Sequence, residues 1–115
     1  MGTPIRIMYF SNAEEYFHGY KPSFKKSFGS LPIDSQSVVL RTISFWKGKF
    51  RWASDSDLST QRGFHYSVQD AADFQAQLKL DKVDVRDFYT KAVIDSKEFG
   101  LSYLGALAES KRQVP

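Results

Sequence analysis

Trp46, Lys47, Lys49 and Arg51 fall within one short stretch, and Lys25 and Lys26 form a second basic pair between Phe24 and Phe28. Ammonium and guanidinium groups can neutralise phosphates, and an aromatic ring can stack on an unpaired base, each stack contributing ~1–3 kcal/mol. A Trp flanked by Arg and Lys is equally the composition of a protein-binding anchor. These six residues are the candidate binding surface. The surrounding segment, Arg41 to Ala53, holds both tryptophans, two of the ten phenylalanines, four of the sixteen basic residues and no acid.

Other chemistry has little to stand on. The chain has no cysteine, so disulfides, thiolate metal sites and thiol nucleophiles are excluded. The two histidines, His18 and His65, form no metal-ligand or metalloprotease spacing. The seven glycines build no phosphate-cradling loop, and no serine sits in a nucleophile-elbow pattern. Asp55, Asp57 and Ser59 begin like a calcium loop, but Thr60 and Tyr66 stand where such a loop needs Gly and Glu. No catalytic residues, metal site or cofactor are assigned, and whether the chain is an enzyme stays open, with the balance against it.

Charge is uneven along the chain. Net charge is +3, yet residues 1 to 53 carry eight basic residues against three acids, and the remainder eight against ten. Such a dipole favours an anionic partner at the first half. The length fits one domain, 1-115, and 42% hydrophobic residues can build a core. With no apolar run of signal-peptide or membrane-span length, the protein is expected to be soluble and cytoplasmic, with no membrane contact.

The elements that position these residues follow from periodicity. Residues 5-10 alternate Ile5, Ile7, Tyr9 against Arg6, Met8, Phe10; with one polar residue among six, both faces are expected to be covered, as in a central strand. Ser11 and Glu14 have capping-box spacing for a helix over 12–18, closed by Gly19. Residues 20–35 show no clean period, and a loop is expected there, pinned by Phe24, Phe28 and Leu31.

Residues 36-46 and 49-54 read as a hairpin turning at Lys47-Gly48. A two-residue turn places Ile43, Phe45, Phe50 and Trp52 on the core side and Thr42, Ser44, Trp46, Lys49 and Arg51 outside. Residues 63-68 add a third antiparallel strand. Ser67 is the expected cap of a helix over 68-78, Asp84 that of a helix over 84-99, and a last helix spans 101-110.

The predicted architecture is α+β: a mainly antiparallel sheet of about four strands (5-10, 36-46, 49-54, 63-68), with the C-terminal helices (68-78, 84-99, 101-110) on one face. The predicted function is a small intracellular module that binds a protein partner or a second copy of itself. Tyr9, Phe10, Tyr16, Tyr20 and Tyr103 exceed what one small core holds, and such a surplus can cover a homodimer face. Single-stranded RNA or DNA binding through the aromatic–basic hairpin is the first alternative. A small-ligand-binding domain or enzyme with a cavity in the sheet–helix core is the second.

Overall fold

The computed structural model describes residues 3–11, 13–17, 19–44, 64–89, 92–95, 97 and 101–112. Among the described residues five strands form one sheet: β1 (Ile7–Ser11), β2 (Val38–Ser44), β3 (Phe64–Asp70), β4 (Val93–Ile94) and β5 (Leu101–Leu104), in the order β1-β2-β3-β5-β4. The fold is α+β, as expected, with four strands of four residues or more and a two-residue edge. The sheet is mixed rather than mainly antiparallel. β1 runs parallel to β2 and β3 parallel to β5, while β2–β3 and β4–β5 are antiparallel.

The reason lies in the connections. A parallel pair needs a crossover, usually helical. One is present between β1 and β2, where α1 (Pro22–Gly29) occupies the segment expected to be a loop. Pro22 and Gly29 read as breakers, but Pro is well suited to the first helical turn, and Lys21 before it is extended at φ −70°, ψ 152°. Phe24 and Phe28, four residues apart, stack at 4.5 Å between ring centroids and cover Phe10. Their pinning role is as expected; only the backbone differs.

Alternation along the strands sorts side chains onto two faces. Met8, Val39, Arg41, Ser67, Gln69, Ser102 and Leu104 share one face and are all buried. Over it lie α1 and α2 (Ala71–Leu78), with Phe74 at the centre, 5.6 Å from Phe10, 6.1 Å from Tyr20 and 5.8 Å from Phe88. Each such aromatic pair adds roughly 0.5–1.5 kcal/mol to the burial itself.

The C-terminal half departs from the predicted helices in three places. Ser67 caps nothing: it lies mid-strand in β3, and α2 starts only at Ala71, whose amide donates to the carbonyl of Ser37 at 2.9 Å. In place of a helix over 84-99 there is a 3₁₀ turn at Val85–Tyr89, followed by β4. Val85, Phe88 and Tyr89 are buried, while β-branched Val93 and Ile94 join the edge of β5. Residues 101–104 are strand, and α3 begins at Gly105 and runs to Arg112. Lys111 of α3 places its ammonium 4.7 Å from the ring centroid of Tyr103, which alternates with the inward Ser102 and Leu104.

Two features near the N-terminus also differ. The predicted helix over 12–18 is a 3₁₀ turn at Ala13–Tyr16, and Glu14 points into the core instead of back to Ser11. β1 is an edge strand, not a central one, with Ile7 64% and Tyr9 55% exposed.

Candidate functional site

Of the six candidate binding residues, Trp46, Lys47, Lys49 and Arg51 lie outside the described residues, as do the strand over 49-54 and the hairpin register. Lys25 and Lys26 are on α1. Lys25 is engaged: its Nζ donates to the carbonyls of Leu80 at 2.7 Å and Asp81 at 3.4 Å, tying α1 to the segment after α2. Lys26 is exposed on the same helix.

Arg41, counted among the basic residues of the aromatic stretch, is 1% exposed. Its Nε donates to Oε1 of Glu14 at 2.6 Å, its Nη2 to Oε2 of Glu14 at 3.4 Å, and its Nη1 to Oε1 of Gln69 at 2.9 Å. The hydroxyl of Tyr20 donates to the other side of the same Glu14 carboxylate. Phe74 and Phe88 rings flank the guanidinium at 5.4 and 5.2 Å. Burial works against the Arg41 charge, but Glu14, together with Tyr89 and Tyr20, offsets it and holds the guanidinium above its ordinary pKa. Burial, and then the Glu14 carboxylate, push the Tyr20 phenol far above its ordinary value. The cluster is sealed from water, so its chemistry is structural: it anchors the 3₁₀ turn and Tyr20 to the sheet.

Beside it, Ser67 and Tyr89 share a hydroxyl–hydroxyl bond. Tyr20 also lines an open cleft of ≈ 530 Å³, together with Gly19, Lys21, Lys82, Val83, Asp84 and Asp87. Among the described residues no group of three His, Cys, Asp or Glu side chains is placed to hold a metal ion. No helix among them is long and apolar enough to cross a membrane.

The opposite face of the sheet is open toward β1. Ile7, Tyr9 and Tyr66 are 64%, 55% and 49% exposed, and the register places them together: Ile7 beside Val38, Tyr9 beside Leu40, which in turn pairs with Val68, and Tyr66 two residues along β3. Val38, Leu40 and Val68 between them are half-buried. Asp70, the register partner of Val38, and Lys111, over the Tyr103 that pairs with Val68, border these six. The nearest charge on β1's flank, Arg6, is neutralised in place: its Nη2 lies 2.6 Å from Oδ2 of Asp34 and its Nη1 donates to Gln36 at 2.8 Å. The backbone amide of Gln36, and then Arg6, hold the Asp34 carboxyl below its ordinary pKa.

Residues 1–105 match the family model described as Domain of unknown function (DUF7790). The chain belongs to the DUF7790 family. No curated protein matches it.

In this DUF7790 domain, sequence reasoning found Tyr9 as surplus apolar surface but placed it in a covered strand. Glu14 and Arg41 were missed as a pair, since a helix cap and a surface cation are the usual uses of those residue types. The one signal was Arg41 itself: it sits in a Val-Val-Leu-Arg-Thr-Ile run, where a strand face otherwise made of apolar residues must bury it.

Proposed function

We infer that the chain is a cytoplasmic protein-interaction module that receives its partner on the open side of the sheet, over β1, β2 and β3. The observation that carries this reading is the grouping of Ile7, Tyr9 and Tyr66, half to two-thirds exposed on one face of the sheet. Tyrosine suits such a surface, because it offers a large apolar area with a polar tip and is enriched at interfaces. The strand residues of this patch carry no cation, and Lys111 over Tyr103 at its margin is a single one, which favours a protein over a nucleic acid, whose affinity depends on neutralising several phosphates. Lys25 and Lys26 belong to α1, whose Phe24 and Phe28 pack on the other side of the sheet, and so do not supply them. The cysteine-free sequence suits a reducing compartment.

The test is site-specific photo-crosslinking in the native cell. A benzophenone amino acid replacing Tyr9 or Tyr66 is expected to form an adduct with a discrete polypeptide, and the same group replacing the exposed Lys79 on the helical side is not. Adducts to RNA or DNA would transfer support to single-strand binding. Equal labelling from all three positions would sink the assignment of this face.

A further inference from the structure

The interaction reading above leaves the partner open, and the edge of β1 narrows it. In a strand, the N–H and C=O of one residue point to the same side, and successive residues alternate. The carbonyl of Arg6 accepts from Val38 N at 2.8 Å, so Arg6 and Met8 turn their backbone groups toward β2. Ile7 and Tyr9 therefore present theirs to the outer edge. No described strand pairs with that edge.

Both ends of the edge are closed. Ile5 has its amide engaged by the carbonyl of Pro32 at 2.8 Å. Ser11 adopts φ +54°, which leaves the extended conformation, and the register shifts between Tyr9 and Ser11. The outward edge thus consists of two donors and two acceptors, on Ile7 and Tyr9 alone.

We propose that β1 pairs with β1 of a second copy of this chain, antiparallel about a two-fold axis at Met8, so that Ile7 of each copy lies opposite Tyr9 of the other. That register bonds all four outward groups of each edge. Centring on Ile7 would set Tyr9 against Ile5, whose amide is taken; centring on Tyr9 would set Ile7 against Ser11, whose backbone has turned away. Antiparallel edge pairing is self-complementary, which is what a two-fold interface requires. Ile opposite Tyr is a favourable cross-strand pair, and it extends the open face across the axis.

Charge permits the approach. Edge strands that avoid pairing commonly carry Lys or an inward charge, whereas Ile7–Ser11 carries neither. Arg6, which the pairing brings toward the neighbouring copy, is already held by Asp34 and Gln36.

The cysteine-free chain makes a clean background for the test. Two single variants, I7C and Y9C, are prepared separately; both positions are exposed, so the fold should tolerate them. In a hydrogen-bonded antiparallel pair the opposed Cα atoms are ~5.5 Å apart, within disulfide range, whereas two like positions in this register are ~9 Å apart, beyond it. An equimolar mixture in a glutathione redox buffer is expected to form the mixed disulfide roughly tenfold faster than either variant alone forms its own.

Sedimentation of the unmodified chain is expected to give twice the 13.2 kDa monomer mass, and Ile7→Lys to return it to the monomer with an unchanged circular dichroism spectrum. A monomer at every concentration overturns the pairing. So does a dimer in which like and unlike cysteines link equally fast. If the pairing fails while Tyr9 photo-adducts to another polypeptide persist, the interaction reading stands without self-pairing; if those adducts are also missing, both fall.

Discussion

The Nε of Arg41 lies 2.6 Å from Oε1 of Glu14, with both side chains all but sealed from water. The pair joins the 3₁₀ turn after β1 to the middle of β2, and through Tyr20 and Gln69 it reaches the segment before α1 and the neighbouring strand. Removing one partner of such a pair leaves an uncompensated buried charge. Glu14→Ala is expected to cost about 3–5 kcal/mol in urea unfolding. The double variant Glu14→Gln with Arg41→Met should cost less than the two single changes added together. Strict additivity would show that the two residues are not coupled.

Tyr20 adds an alkaline limit to stability. Its folded pKa is raised, so the neutral phenol is the form that folds best. That contribution is complete below the unfolded tyrosine value, ~10, and is lost as pH rises beyond it. Tyr20→Phe should lower stability at pH 7 by about 1–3 kcal/mol, through the lost bond to Glu14, and should flatten the decline above pH ~10. An alkaline unfolding profile unchanged by the substitution would assign the decline to another group.

Gly105 begins α3 at φ +58°, and a Cβ built on it would meet Oδ2 of Asp73 at 1.7 Å. Gly105→Ala combines backbone strain with that collision, and the expected loss is about 1–3 kcal/mol by thermal unfolding. Adding Asp73→Ala removes the collision but not the strain, so it should recover only part of the loss.

The two adjacent lysines of α1 should respond differently. Lys25→Met removes the donor to the carbonyls of Leu80 and Asp81 and is expected to cost about 1 kcal/mol. Lys26→Met, at an exposed position, should stay within about 0.5 kcal/mol of the parent. Equal effects would mean that the Lys25 contacts contribute nothing in solution.

Ser67 and Ser102 are register partners on the buried face, and only one is satisfied. Ser67→Ala leaves the Tyr89 hydroxyl without this bond and should cost about 1–2 kcal/mol. The Ser102 hydroxyl is buried with no partner among the described residues, so Ser102→Ala should be neutral or stabilising by up to ~1 kcal/mol. Calorimetric midpoints of the two variants check the contrast.

Local patterns were readable where one residue type has one common use. The alternation of Ile7 and Tyr9 against Met8 and Phe10 defines β1, and the dense Val, Leu, Ile and Thr of residues 38–43 defines β2. Phe24, Phe28 and Leu31 declared their attachment to the core, although Pro22 and Gly29 concealed the helix that carries the phenylalanines. Composition established that the chain lacks cysteine, and periodicity gave the α+β class.

Only the tertiary structure decided the rest, because each outcome depends on partners far away in sequence. Arg41 is a core residue instead of a surface cation because Glu14, 27 positions earlier, turns inward to meet it. Val93 and Ile94 are strand because β5 offers them an edge, an option that helical spacing cannot reveal. Ile7 and Tyr9 are exposed because no described layer covers their side of the sheet, as Tyr66 of the inner strand β3 shows, and β1 is in addition the outer strand. The pattern of β1 is the same in a central strand and an edge strand; the difference is whether another strand lies beyond it, and alternation within one strand holds no information about that neighbour.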